Sequence, residues 1–124
     1  MFTVKVEKIG SVAIVYCKGR LVRSDAAFRL RDAVARQNEA HAVLVDLSAV
    51  QALEGGGLGM LLFLQVWARN RGIQFKAFDP SVNVRQSLER SGPTATVEIA
   101  EIAEVLSLLR EVPEELSDGS QSVA

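Results

Sequence analysis

Chemically reactive side chains are scarce in this chain of 124 residues. It has one cysteine and one histidine, and its 14 basic residues nearly balance its 15 acidic residues. A single cysteine, Cys17, excludes an internal disulfide, and we interpret it as a buried apolar residue of a cytoplasmic protein. The net charge of -1 gives no electrostatic basis for binding nucleic acid.

The same scarcity argues against an enzyme. A catalytic triad needs a base, and the only histidine, His41, lies in a polar connection between predicted elements. Histidine, cysteine and carboxylate side chains are not grouped at metal-ligand spacing, so we predict no metal, no cofactor and no catalytic residue. The first residues lack the pattern of a signal peptide and no apolar run is long enough to cross a bilayer, so we expect no direct membrane insertion.

Hydrophobic periodicity predicts a chain of alternating strands and helices. The first two strands are joined by a turn signal and should form an antiparallel hairpin. The polar residues 113–124 lack an apolar anchor, so we divide the chain into a domain at 1–112 and a disordered tail at 113–124. The predicted strands are 2–7, 12–16, 42–47, 73–78 and 96–99, and the predicted helices are 25–37, 57–71, 81–90 and 102–109.

The order β-β-α-β-α-β-α-β-α predicts a single α/β domain with a mixed sheet of about five strands. Within it, several polar side chains have structural interpretations. Ser24 is predicted to cap the first helix, and Ser81 lies where the third helix opens. Asp46 is predicted to end the third strand, with Asp46 and Ser48 capping the turn that follows. Glu101 and Glu104 are assigned to a solvated face of the last helix.

The most informative stretch is residues 54–59, with the sequence Glu-Gly-Gly-Gly-Leu-Gly, between a predicted strand and a predicted helix. Three consecutive glycines indicate close backbone approach or unusual dihedral angles. The helix start also offers free N–H groups and the positive end of its dipole. Such a place can bind an anion, carry a modification or bind a partner. It lacks the Lys-Ser/Thr ending of a phosphate-binding loop, which argues against a nucleotide-binding protein.

Several segments, in order, resemble motifs of the STAS domain, and within it of the bacterial anti-sigma factor antagonists. They are residues 43–48, residues 53–59 and residues 79–92, preceded by Gly19-Arg20-Leu21, which looks like the family's Gly-x-Leu. The resemblance covers about residues 3 to 110. It implies a small mixed sheet with helices mainly on one face and a function in protein binding.

The resemblance also implies a partner and a switch. In the family, the unphosphorylated domain binds an anti-sigma factor of the histidine-kinase-like type and thereby frees a sigma factor. The kinase then phosphorylates the first serine of an Asp-Ser-Ser-Gly motif and the complex dissociates. The partner-binding positions implied by the resemblance are Arg20, Val22, Arg23, Glu54, Gly55, Gly56, Leu58, Pro80 and Ser81.

This chain departs from the family at the modified position. Glu54 stands at the acidic position, but Gly55 and Gly56 replace the two serines. Because glycine has no hydroxyl, we predict that no phosphoryl group is attached at Gly55 and that the domain is locked in one state. Arg20 and Arg23 stand where a typical member is acidic or neutral.

Two alternatives remain open for the function. The chain could be a STAS subunit of a larger assembly, such as a lipid-transport ATP-binding cassette system or a signalling complex. It could also be a nucleotide-binding protein that uses the glycine loop, although no lysine stands beside that loop.

The helix predicted at 57–71 is apolar most of the way round. Burial against the sheet and a neighbouring helix is the favoured explanation. The alternative is a surface for a homodimer or a partner, because exposed aromatic and methionine side chains are typical of interfaces. The residues predicted for self-association are Met60, Phe63, Leu64 and Trp67.

Overall fold

The computed structural model describes residues 1–90 and 97–110. Within these residues the elements follow the order β-β-α-β-α-β-α-β-α, which confirms the predicted α/β fold with a mixed sheet of five strands. The strands are β1 (Thr3–Ile9), β2 (Val12–Leu21), β3 (Ala42–Leu53), β4 (Gln74–Phe78) and β5 (Ile99–Ala100). The helices are α1 (Ser24–Ala35), α2 (Gly55–Asn70), α3 (Val82–Glu89) and α4 (Ile102–Arg110).

The strands lie side by side in their sequence order. β1 and β2 form the predicted antiparallel hairpin, and every later pair is parallel. Parallel neighbours need crossover connections, and α1, α2 and the chain that includes α3 supply them. All parallel strands therefore end at one side of the sheet, which we call its carboxyl end.

β3 is longer than predicted. Asp46 pairs with Phe78 at the end of β4, but β3 continues beside β2 as far as Leu53. The prediction that Asp46 ends the strand was therefore wrong. Its carboxylate accepts a hydrogen bond from the Ser48 N–H at 2.8 Å, where the β2–β3 register shifts. The carboxylate thus bonds the backbone two residues on, as predicted for Asp46, but it does so at an irregularity inside the strand. Because β3 continues through Ser48, no turn follows the strand there for Ser48 to cap, so that prediction was wrong.

Three helices cover one face of the sheet, as predicted. α1, α2 and α3 bury a single large cluster there, built from alternate residues of β2, β3 and β4. The run at 42–45 is buried throughout, which confirms a strand covered on both faces. Full burial of each leucine or valine contributes roughly 1.5–3 kcal/mol. The largest fully buried side chains of this cluster are Leu21, Leu30, Leu47, Leu53, Leu61, Leu64, Val15, Val34, Val43, Val45 and Val84.

α4 packs on the opposite face, where a smaller cluster includes Leu44, Val105 and Leu108. A charged contact also holds this helix, because Lys76 of β4 forms a hydrogen-bonded ion pair with Glu104. The Glu104 side chain is still 42% exposed, so its assignment to a solvated face holds, but the ion pair was not predicted. The hydrogen bond to Glu104 raises the pKa of Lys76.

The helix starts differ in their capping. Arg23, rather than the predicted Ser24, is the N-cap of α1, and Ser24 is the first helical residue. Ser81 caps α3 as its position indicated, since its hydroxyl accepts a hydrogen bond from the Val84 N–H at 3.2 Å. α2 begins at Gly55, two residues before the predicted start. The last strand was predicted to begin at residue 96, which lies outside the described residues. The predicted tail at 113–124 lies outside them too.

Candidate functional site

The glycine stretch lies at the carboxyl end of the sheet, beside the loop that precedes α1. Leu21, the last residue of β2, pairs with Leu53, the last residue of β3. The Glu54 N–H donates to the Leu21 carbonyl oxygen at 3.4 Å, which keeps the two chains together after the strands end. The predicted residues of both loops, Arg20, Val22, Arg23, Glu54, Gly55 and Gly56, are therefore brought to one region of the surface.

Gly57 allows the first turn of α2 to lie directly against the end of β2. It is buried, and a Cβ atom on it would stand 2.0 Å from the Leu21 carbonyl oxygen and 2.8 Å from Leu21 Cγ. Any side chain at this position would collide with backbone. The Gly57 N–H donates to the Glu54 carbonyl oxygen at 3.1 Å, which closes the turn.

Gly55 and Gly56 are exposed and have more room. A Cβ on Gly55 would lie 3.7 Å from the Val22 carbonyl oxygen, but Gly55 has a φ of +53°, in the left-handed region. A Cβ on Gly56 would lie 3.3 Å from the same oxygen. A serine at Gly55 would therefore fit in space but would strain the backbone.

Two shallow depressions flank the start of α2. One, of about 400 Å³, lies toward α1 and is lined by Arg20, Val22 and Arg23, together with the first two residues of the chain. The other, of about 290 Å³, lies toward α3 and is lined by Leu53, Glu54, Gly55, Leu58, Ser87 and Arg90. Only the second depression is lined by residues of the glycine stretch, whereas the first is formed by the β2–α1 loop and the start of the chain.

Ser87 and Arg90 are additions that the sequence did not suggest. They belong to the end of α3, which approaches the glycine stretch because α3 packs along the extended part of β3. The Asn83 side chain holds it there by donating to the Gln51 carbonyl oxygen at 3.2 Å. Pro80 and Ser81 lie at the opposite end of α3, about 12 Å away along an eight-residue helix. Neither lines either depression, and their role in partner binding stays a prediction.

Charges of both signs surround the glycine stretch, because the exposed Asp25 lines the same depression as Arg20 and Arg23. Glu54 is exposed and its carboxylate makes no capping bond to α2. Arg20 and Arg23 are exposed on one side, and Arg90 on the other donates to Ser87 Oγ at 3.2 Å. Among the described residues, none of these three arginines forms an ion pair with a carboxylate. Their charges are therefore available to a partner.

Groups with other chemistry lie away from this region. Cys17 is buried under the helices, and burial raises the pKa of its thiol to about 12, so the thiol stays protonated. In residues 1–90 and 97–110, no three histidine, cysteine or carboxylate side chains are placed to hold a metal ion. No helix in the same part of the chain has the length and apolar character needed to span a membrane.

The predicted self-association residues divide into two groups. Leu64 is only 1% exposed and belongs to the core, because it shares the inward face of α2 with Leu61 and Ala68. Its assignment to a surface was therefore wrong. Phe63 is 55% exposed, while Met60 and Trp67 are partly buried at the margin of the core.

Comparison with known proteins identifies relatives of this architecture. The model of the STAS domain matches residues 3–106 of the chain. No curated protein matches the sequence significantly. Among solved structures, the anti-sigma factor antagonist SpoIIAA in its unphosphorylated form is similar, with a TM-score of 0.71 and 15% identity over 90% of this chain and 99% of that one.

Two further structures share the fold. An anti-sigma factor antagonist from Mycobacterium paratuberculosis has a TM-score of 0.66 and 21% identity over 90% of this chain and 96% of that one. The murine Solute Carrier 26 family member A9 anion transporter has a TM-score of 0.65 and 16% identity over 84% of this chain but only 18% of that one. At these identities the likeness establishes the fold.

Proposed function

This chain belongs to the STAS domain family, and we propose that it is a non-catalytic cytoplasmic module that binds an anti-sigma factor and thereby releases a sigma factor. The observation that carries the proposal is the meeting of the β2–α1 loop with the start of α2. These two segments provide the positions that the family resemblance assigns to partner binding. Each segment lines a shallow depression that a partner could contact, the β2–α1 loop one and the glycine stretch the other.

The chemistry of this surface favours a protein partner over a small ligand. Both depressions are shallow and open, whereas small-molecule sites are enclosed and mostly apolar. The surface combines an apolar residue, Leu58, with the exposed charges of Arg20, Arg23 and Glu54. Such a mixture of apolar centre and charged rim is typical of transient protein interfaces.

We further propose that phosphate does not control binding at this loop. Gly55 has no hydroxyl, and its left-handed φ of +53° suits glycine far better than serine. Glu54 supplies one constant negative charge beside the start of α2, whereas a phosphoserine would add about -1.5 to -2 charges at that place. Binding would then be constitutive, with its level set by the amounts of the two proteins.

Binding is tested by titrating the full chain against each histidine-kinase-like anti-sigma factor encoded by the source genome, with calorimetry as the readout. We expect at least one to bind, and we expect Leu58→Asp to weaken that binding by at least tenfold, as for a residue at the centre of an interface. Leu106→Asp is the control for a surface charge, because Leu106 is an exposed leucine on the opposite face of the sheet. Since Leu58 also packs against the core, circular dichroism must show that Leu58→Asp still folds. If no anti-sigma factor binds, or if both variants behave alike, the proposal fails.

The absence of phosphorylation at residue 55 is tested by incubating the chain with the anti-sigma factor that binds it and with ATP. We expect no phosphate on the wild-type chain and phosphate on the Gly55→Ser variant, detected by mass spectrometry of the peptide that contains residue 55. Phosphate on the wild-type chain within this loop would contradict constitutive binding. It would leave the binding proposal itself intact, since the two are measured separately.

A second candidate function is favoured by the similarity to an anion transporter, in which this fold forms 18% of a much larger chain. The same module could serve as a subunit of a membrane transport or signalling assembly. Affinity purification of the tagged chain from its source separates the two functions. Recovery of transport components, with no anti-sigma factor, would support the subunit.

A further inference from the structure

The face of the sheet on which α4 packs is covered only in part. Along β2, side chains alternate between the two faces, and Val12 and Ile14 are buried in the smaller cluster beneath α4. Farther along the same face of β2, Tyr16, Lys18 and Arg20 are exposed. In the part of the chain that the structure describes, α4 therefore leaves the carboxyl half of this face of β2 open to solvent.

Three bases lie together on this open area. Lys5 of β1 pairs with Tyr16 and Lys18 pairs with Thr3, so Lys5 and Lys18 are diagonal neighbours on one face of the hairpin. Arg20 follows Lys18 by two residues and shares its face. We call Lys5, Lys18 and Arg20 the basic strip. Among the described residues, none of them forms an ion pair with a carboxylate.

Two acids lie beside the basic strip, and both accept hydrogen bonds from other groups. Glu7 accepts one from the Tyr16 hydroxyl at 2.8 Å. Asp46, which pairs with Tyr16 from β3, accepts one from a backbone N–H at 2.8 Å. Lys18 and Arg20 have only uncharged partners on the neighbouring strands. The excess of positive charge is therefore concentrated at the end of the strip farther from α4.

The sequence that follows α4 carries the opposite charge. Residues 111–124, which we call the acidic segment, contain no base and four acids, Glu111, Glu114, Glu115 and Asp118. The segment is joined directly to α4, and α4 packs on the face of the sheet that carries the basic strip. From this charge complementarity we infer that the acidic segment lies across the basic strip of its own chain.

The direction of α4 brings the segment within reach of the strip. Glu104, in the first turn of α4, pairs with Lys76 of β4, whereas Leu108, in the last turn, belongs to the cluster that contains Val12 at the start of β2. α4 thus ends near the amino end of β2. Along that strand, Lys18 lies about 20 Å from Val12. Eight extended residues span about 26 Å, so Asp118 can reach Lys18.

Attachment to α4 favours this occupant over a separate acidic molecule. An exposed ion pair contributes only about 0–1 kcal/mol, so a few such pairs hold a free peptide poorly. A tethered segment is instead present at an effective concentration on the order of 1 mM, whatever the protein concentration. The contact is electrostatic, and salt weakens it, because the Debye length falls from about 30 Å at 0.01 M to about 3 Å at 1 M ionic strength.

The contact has a consequence for partner binding, because Arg20 belongs both to the basic strip and to the predicted partner-binding positions. It also lines the depression beside the β2–α1 loop. The acidic segment would therefore compete with an anti-sigma factor for Arg20 and weaken its binding. This corollary rests on the proposed function, whereas the contact between segment and strip does not.

Paramagnetic relaxation in the full chain tests the contact. A nitroxide is attached to a Ser120→Cys variant, since the native Cys17 is buried and stays unlabelled. At low salt we expect the label to reduce the amide signals of the basic strip, and we expect about 0.5 M salt to restore them.

Two variants with the same loss of positive charge locate the contact. Replacing the three bases of the strip by glutamine should abolish the signal loss on β1 and β2. The matched control replaces three exposed arginines on the helices of the other face, Arg29, Arg36 and Arg85, and should leave the loss unchanged. Circular dichroism verifies that both triple variants fold.

Several results would overturn the inference. Undiminished signals of the basic strip at low salt would show that the segment lies elsewhere. A signal loss that survives replacement of the strip, or that the control variant removes equally, would exclude this surface. A loss that grows with protein concentration would assign the strip to the segment of a second molecule.

The corollary is measured separately, with the acids of the segment replaced by their amides in the full chain. We expect this variant to bind the anti-sigma factor severalfold more tightly than the wild-type chain at low salt. Equal affinities would refute the competition and leave the contact standing. If no anti-sigma factor binds either chain, the proposed function fails, and the relaxation measurement still decides the contact.

Discussion

Gly55 and Gly57 stand two residues apart in the first turn of α2, and glycine is favoured at the two positions for different reasons. Gly57 has a buried position where an added Cβ would lie 2.0 Å from the Leu21 carbonyl oxygen. Gly55 is exposed, and an added Cβ would lie at a normal distance of 3.7 Å from the Val22 carbonyl oxygen. Gly55 instead has a φ of +53°. Packing therefore requires glycine at residue 57, whereas backbone conformation favours it at residue 55.

Gly57 is therefore needed for the fold, whereas Gly55 removes the hydroxyl that the family motif has at its position. The family motif has glycine at the position of Gly57, and the close approach to Leu21 explains why. At the position of Gly55 the motif has a serine. Gly55 has a left-handed φ of +53°, so a serine placed there would carry a backbone strain in addition to its hydroxyl.

The largest effect is expected for Gly57→Ala. The methyl group would overlap the Leu21 backbone, so α2 would have to move away from the end of β2. We expect the free energy of unfolding to fall by about 3 kcal/mol, as for severe overpacking. Urea denaturation followed by the fluorescence of Trp67 measures it. A loss below about 1 kcal/mol would show that α2 can shift away from β2 at little cost. Packing would then not require glycine at residue 57 more than backbone conformation favours it at residue 55.

Much of the fold could be predicted from the sequence because its elements have clear local signals. The alternation in β1 and the turn at Gly10 predicted the hairpin, and the continuous apolar run at 42–45 predicted a strand covered on both faces. The opening of α3 near Ser81 was also predicted, and the Ser81 hydroxyl proves to cap it by accepting the Val84 N–H. These features depend on residues that are close in the chain.

The features that were missed depend on residues far apart in the chain. β3 continues past Asp46 because β2 is long enough to pair with it as far as Leu53, which no local pattern in β3 reveals. Glu104 meets Lys76 only because α4 crosses the second face of the sheet. At the candidate site, the family resemblance identified the two adjoining loops, but the contribution of Arg90 depends on where α3 ends.

A moderate effect is expected for Gly55→Ser. Serine in the left-handed region costs roughly 1–2 kcal/mol, so the free energy of unfolding should fall by about that amount. Gly55→Ala should cost the same, because the penalty comes from the Cβ and not from the hydroxyl. Gly55→Asn is the sharper control: asparagine tolerates positive φ, and its cost should be clearly smaller. Equal costs for serine and asparagine would mean that φ is not the reason for glycine here.

The smallest effect, and the only one of opposite sign, is expected for Gly59→Ala. Gly59 lies inside α2, and an added Cβ would meet no atom within 4 Å. Alanine is the better helix former, so the free energy of unfolding should rise by about 0.5–1 kcal/mol. Urea denaturation followed by the fluorescence of Trp67 measures this change.

If Gly59→Ala instead lowers the stability of the protein, the surface around Gly59 is less open than the structure indicates. A side chain would then be disfavoured at Gly59 as well as at Gly57, and the two positions would differ only in the close contact of Gly57 with Leu21.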